Sequence, residues 1–272
     1  MDKRMSLQES VALLPAGDAC LGLGGFTLYR RPMAFTLALL ASLGPSGSRR
    51  SLTLLTFTAG LESDILVGAG LISRVRTCYF GLEAFGLAPR FTQAAGDGTL
   101  EILEETEASL ALGLRAALSG VGFMPSHAWQ GTDLPRLRPD VKEVADPYSG
   151  ETLTAFPAIR CDLAVIHALR ADYEGNADLG QNWGVDRELA FVADKVIVTA
   201  EEVVPRIQTA QVFGHVVSAV VEAPGGAWPT SCYPNYRLDG EAVLAYIDSG
   251  GADPGLIQQW AHRHRAALSG ES

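Results

Sequence analysis

The chain has 272 residues, 47% of them hydrophobic and 19% charged, with a formal net charge of -10. That is enough apolar material for a sizeable core, while the acidic balance provides no basic field to attract nucleic acid or an anionic membrane surface. No uninterrupted apolar run reaches the roughly 20 residues of a membrane-spanning helix, and Met1–Ser6 lacks the regions of a signal peptide; a cytoplasmic location is expected.

In chain order, Ala19–Phe26 reads as a buried strand entering a glycine turn, and Pro32–Leu43 follows with helical periodicity. Proline suits a first helical turn because its missing N–H would have no partner there. Ser51–Thr58 reads as a strand, Ser63–Leu71 as a short helix, Arg74–Phe80 as another strand and Glu104–Leu118 as an amphipathic helix. A proline-bearing loop region runs from Val121 to about Phe156. Leu163–His167, Lys195–Val198 and His215–Val221 read as strands, and helical patterns start at Gly240 and Pro254. This alternation predicts an α/β fold, an open, mainly parallel sheet with flanking helices. Residues 1–272 are expected to form a single domain, with a loop-rich middle (about 121–156) and a helical C-terminal segment (about 239–268).

Cys20, Cys78, Cys161 and Cys232 lie far apart and form no CxxC pair. They read as buried reduced thiols, with no metal site and no disulfide framework.

The most informative local stretch is Gly22-Leu23-Gly24-Gly25-Phe26-Thr27-Leu28-Tyr29-Arg30-Arg31-Pro32-Met33. Glycines at a strand's carboxyl end let a ligand approach the backbone and expose amide N–H groups. A helix N-terminus and two guanidinium groups follow, so the stretch is a candidate anion site. A dinucleotide fingerprint is excluded: its third glycine would fall on Thr27, and no carboxylate occurs between Asp18 and Glu62 to bind a ribose. A phosphate-binding P-loop is excluded because no Gly-Lys-Ser/Thr follows.

Gly-Gly-Phe, a short polar stretch and Arg-Pro-Met resemble the N-terminal signature of family I CoA-transferases, in particular the glutaconate CoA-transferase-like A subunits. The chain departs from that signature by carrying Arg30-Arg31 where many members have glycine. Four further segments follow in family order: Gly68–Val75, Gly122–Pro125 with Gly131–Leu134, Cys161–Ala168 with Gly175-Asn176, and Val220–Ala227. The resemblance implies the CoA-transferase (NagB/RpiA-like) fold and coenzyme A as substrate, with no bound cofactor. It also implies a separately encoded β subunit, in an α2β2 assembly that handles acyl-CoA and carboxylate substrates.

The family's nucleophile is a glutamate that forms an acyl anhydride and then a glutamyl thioester, splitting one difficult exchange into easier steps. The fused members carry it in Glu-Asn-Gly, which this chain lacks; the resemblance places it on the β subunit. The candidate substrate- or CoA-binding residues here are Gly24, Gly25, Phe26, Thr27, Arg30, Arg31, His127 and Asn176. A related branch hydrolyses rings of steroid-derived CoA esters with an A-subunit glutamate near a helix start, and aligning Gly113–Ala117 puts Glu107 there as the candidate catalytic residue. A third possibility is a catalytically silent scaffold subunit.

Each candidate also has a plainer reading. Glu62, and the group Glu101, Glu104, Glu105 and Glu107, read as acids at helix starts, stabilised by the dipole. His167 reads as a satisfied core histidine, His127 as a solvated loop residue and Asn176 as turn chemistry. His262 and His264 do not share a helical face. Trp228–Tyr236, with two prolines and three aromatics, fits either a partner interface or a cover for the chain's own core.

Overall fold

Apolar runs such as Leu163–Ile166 need cover on both faces of a sheet, and here they receive it. A computed structural model describes residues 1–42 and 51–269; Leu43 and Arg50 lie outside the described residues. Among the described residues, seven parallel strands form the central sheet: β1 (Cys20–Leu23), β2 (Leu52–Leu55), β3 (Ile72–Thr77), β4 (Glu101–Glu104), β5 (Cys161–Asp172), β6 (Ala193–Val204) and β7 (Ala219–Glu222). Their spatial order is β7-β6-β5-β1-β2-β3-β4, and Ala177–Asp178 adds an antiparallel strand to β5. The chain lays β1 to β4 outward in one direction and then returns to the other side of β1. Order therefore reverses between β1 and β5, the position where open α/β sheets form ligand crevices beyond their carboxyl ends.

Alternation of side chains along each strand divides the core between two faces. Leu21, Leu23, Leu163, Val165, Ile197 and Val221 meet the helices Leu7–Val11 and Met33–Ser42 on one face. Ala164, Ile166, Ala168, Val196, Val198 and Val220 meet Glu107–Leu118 and Asp186–Val192 on the other. Each fully buried leucine or valine contributes roughly 1.5–3 kcal/mol over an exposed one. The helix Met33–Ser42 is apolar all round because it lies between layers. Its Phe35 and Leu39 face the sheet, while Met33 and Leu37 pack with Val243, Tyr246 and Trp260 in a third cluster formed with the C-terminal helices Gly240–Asp248 and Pro254–Ser269.

Several boundaries differ from the sequence expectation. The span Glu104–Leu118 splits into strand β4 and a helix that starts at Glu107, because Thr106 and Ser109 form a reciprocal capping box there. Glu101-Ile102-Leu103-Glu104 had no strand signal of its own; it is an edge strand, where charged residues deter further pairing. The middle region contains more than loop. Phe123–Ser126, Thr152–Pro157 and Lys142–Ala145 form a three-stranded antiparallel sheet. His215 lies in a short 3-10 turn, and β7 starts only at Ala219. The opposite edge of the sheet is covered by the N-terminal segment, where Met5 donates to the Val220 carbonyl and Val220 donates to the Lys3 carbonyl. No helix among the described residues is long and apolar enough to cross a membrane.

Candidate active face

Because the central strands are parallel, the segments leaving β1, β2, β3 and β4 emerge on one edge. The segment after β1 turns sharply: Phe26 N–H donates to the Tyr29 carbonyl at 3.0 Å and Tyr29 N–H returns to Phe26 at 2.8 Å. Gly25 has φ +91°, and a Cβ there would sit 2.7 Å from the carbonyl oxygens of both Tyr29 and Arg30, so only glycine fits. Thr27 and Arg30 hold φ of 50° and 53°, left-handed conformations that cost side-chain-bearing residues on the order of 1–3 kcal/mol and concentrate at functional sites. Gly60, after β2, abuts this turn; a Cβ there would lie 2.4 Å from the Thr27 carbonyl oxygen.

The amides of the turn are committed within the chain, contrary to the anion-site expectation. Gly24 donates to Val165, Gly25 to the Asp186 carboxylate at 2.9 Å and Thr27 to Thr58 Oγ1 at 2.8 Å. At the start of the following helix, Ala34 N–H donates to the Gly226 carbonyl. The arginines are committed too. Arg30 is fully buried and donates to the carbonyls of His167 and Asn182 and to Asp186. Arg31 is fully buried and donates to Thr58, Thr56 and Glu62. Neither guanidinium has a surface to offer an anionic ligand; together they clamp the glycine turn to the loop after β2 and to the Asp186 helix. The dipole reading of Glu62 is corrected on the same ground, since its fully buried carboxylate pairs with Arg31.

What the edge does present is a half-buried aromatic patch. The rings of Phe26 and Phe57 lie 6.0 Å apart, and Gly184 packs against both. Cys78 follows β3 and donates its thiol to the Phe57 carbonyl at 2.8 Å. Tyr79, paired in register with Thr58, is 38% exposed. Glu107 is exposed at the first turn of its helix, close enough that its charge acts on Cys78. Burial, and then the negative charges of Glu107 and Glu105, push the Cys78 thiol up to about 11. At pH 8 its thiolate is therefore about 100-fold scarcer than at the ordinary thiol value. Alkylation of Cys78 at pH 8, followed by mass spectrometry, is expected to be correspondingly slow and to quicken in Glu107→Gln; an unchanged rate would separate the two groups.

The other acids near Glu107 have different duties. Glu101 and Glu104 belong to β4, and Glu101 pairs with Arg74. Glu105 is buried and accepts from Arg76 and Arg138, both at 2.8 Å. The middle region reaches this edge through Trp129, whose indole N–H donates to Thr106 Oγ1 at 3.0 Å. His127 sits beside that loop but is exposed, with Nδ1 3.2 Å from Gln130 Oε1. Asn176 is elsewhere. It donates to Asp172 and accepts from Gly214 N–H, closing the turn after β5, and among the described residues no hydrogen bond joins it to the glycine turn. Trp228–Tyr236 largely covers the chain's own core: Trp228 packs edge-on to Trp260, Thr230 and Cys232 are buried, and Tyr233 remains 66% exposed.

Sequence reasoning missed Asp186, Phe57 and Cys78. Asp186 carried no signal, because an acid at a helix start ordinarily faces water. Phe57 and Cys78 had one available signal, their position at predicted strand ends.

Residues 4–223 match the model of the coenzyme A transferase family. The chain is 32% identical over 253 residues to the A subunit of a 3-oxoadipate CoA-transferase from Pseudomonas knackmussii, covering 90% of this chain and 88% of that relative. It is also 32% identical over 285 residues to a cholesterol ring-cleaving hydrolase subunit of Mycobacterium tuberculosis, covering 97% and 93%. Among solved structures, the glutaconate coenzyme A-transferase of Acidaminococcus fermentans superposes with a TM-score of 0.85 at 25% identity, covering 98% of this chain and 92% of that one.

Proposed function

Since this chain belongs to the coenzyme A transferase family, we propose that it is the α subunit of a two-chain enzyme that moves coenzyme A between an acyl-CoA and a carboxylic acid. The observation that carries this reading is the carboxyl edge itself. Its glycine turn is rigidly braced, yet the patch formed by Phe26, Phe57, Cys78 and Tyr79 stays open. A braced but open site fits one completed by a second chain, and two relatives are named as A subunits of CoA-transferases. The β subunit would bring the glutamate nucleophile, in an α2β2 assembly. Gly24, Gly25, Phe26 and Thr27 would form one wall of the acyl-CoA site. Arg30 and Arg31 would act by holding that wall in place, and His127, two residues from Trp129, would stand at its margin. Asn176 would shape the site only indirectly, through its turn.

A second reading rests on Glu107, exposed on the same face, and on the ring-cleaving relatives. There Glu107, as general base, takes a proton from water as its oxygen attacks a ring carbonyl of the CoA ester; the adjoining ring carbon–carbon bond breaks, giving a carboxylate, and the released carbon takes up the proton. Both readings are tested by co-producing the chain with a CoA-transferase β subunit. The transferase reading expects no turnover by the isolated chain, CoA exchange by the complex, loss of exchange when the β glutamate is replaced, and little change in Glu107→Gln. The hydrolase reading expects water-dependent product whose formation falls about 100- to 10,000-fold in Glu107→Gln. A complex indifferent to every substitution around the glycine turn would leave only the scaffold role.

A further inference from the structure

Next to the glycine turn, whose Arg30 donates to the carbonyls of His167 and Ser231, three side chains of different donor type converge: His167 of β5, Glu201 of β6 and Cys232 of the Trp228–Tyr236 loop. Their ligand atoms all lie within 4.8 Å of one another. His167 and Cys232 are fully buried and the Glu201 side chain is 8% exposed. From this geometry we infer that His167 Nε2, Glu201 Oε1 and Cys232 Sγ form a binding site for a single zinc-class divalent cation. The inference is independent of the transferase reading, and it runs against the absence of a metal site expected from cysteine spacing. Cys232 and His167 are 65 positions apart in sequence, so no spacing motif could reveal the set.

Four observations support it. A nitrogen, oxygen and sulfur donor set suits zinc, with bonds of about 2.0–2.3 Å. Three such ligands around one ion stand about 3–4 Å apart, so small side-chain rotations would close the set. The outer shell is already built. His167 Nδ1 lies 2.9 Å from Thr199 Oγ1, which can hold the ring with Nε2 free for a cation. Glu201 accepts from Gly225 N–H at 2.7 Å and from the Tyr236 hydroxyl, so its orientation does not depend on the ion. Tyr236 and Gly225 also line a cavity of about 340 Å³ with Pro224, Trp228, Arg263 and His264. His167, Glu201 and Cys232 do not themselves line that cavity; it lies beyond the groups that orient Glu201. Gly226 packs against the imidazole, where an added Cβ would come within 2.7 Å of His167 Cε1.

The competing account is a closed hydrogen-bonded network, in which Glu201 Oε1 is shared between His167 Nε2, 2.7 Å away, and the Tyr236 hydroxyl. The untagged chain, purified without chelator, is expected to retain about one equivalent of zinc by mass spectrometry. Cobalt(II) added to chelator-treated chain should give the intense thiolate-to-cobalt band that requires a cysteine ligand. Cys232→Ser should abolish the band, while Cys161→Ser leaves it unchanged. Thr199→Val, which keeps shape but removes the imidazole's partner, should weaken zinc binding about 10- to 100-fold. Wild-type chain with neither retained zinc nor a cobalt–thiolate band overturns the inference without relying on any variant, as does a band that survives Cys232→Ser.

Discussion

Replacing Arg31 by methionine is expected to destabilise the chain by about 3–5 kcal/mol, because it strands a buried carboxylate. Arg31 and Glu62 are both fully buried and paired. The same guanidinium donates to the Thr58 carbonyl at 2.9 Å and to Thr56 Oγ1 at 3.2 Å. Glu62 has few alternatives: Ser63 also donates to Oε1, and Oε2 has no hydrogen-bond partner among the described residues. Urea unfolding would read the loss. The double variant Arg31→Met/Glu62→Gln should recover much of it, since removing both charges removes the desolvation problem that removing one creates. A single variant that loses less than about 1 kcal/mol, the scale of an exposed pair, would mean that this pair does not brace the turn.

The second large effect concerns Gly25. Alanine there must hold φ +91° and place its Cβ 2.7 Å from two backbone oxygens, neither of which can rotate away. The left-handed conformation and the overpacking together are expected to cost about 2–4 kcal/mol. In the two-chain enzyme proposed above, turnover should fall as well, because relief requires moving the Phe26–Tyr29 turn. Gly70 provides the control. Its φ is +70°, but an added Cβ meets nothing within 4 Å among the described residues, so Gly70→Ala should cost only about 1–2 kcal/mol and leave turnover intact. Equal thermal shifts in the two variants would show that the contact with Tyr29 and Arg30 is not what selects glycine at position 25.

Much of the fold was readable from local pattern. Leu163–Ile166 is apolar at successive positions because both faces of β5 are covered, and the glycines after β1 mark the turn where the chain reverses. The middle region was less readable: Phe123–Ser126 and Thr152–Pro157 each contain proline or alternate weakly, and they become strands only by pairing with one another. In the site, Gly25 and Phe26 were legible. The burial of the arginines was not, because a guanidinium goes inside only where carboxylates and carbonyls from distant segments meet it. Arg30 depends on His167, Asn182 and Asp186, more than 130 positions away.

The alternation of strands and helices, the tight turn and the resemblance to the CoA-transferase family are thus properties of the amino-acid order alone. They are written in short-range periodicity and in residues whose backbone freedom is local. Which charges stay in water was settled by tertiary packing. It turned Arg30, Arg31, Glu62 and Glu105 inward as paired braces and left Glu107 exposed beside Cys78. It also gathered His167, Glu201 and Cys232 into one cluster. The physical reason is that the free energy of a charged or ligating group is set by neighbours in space, and in this sheet those neighbours come from strands and loops remote in the chain.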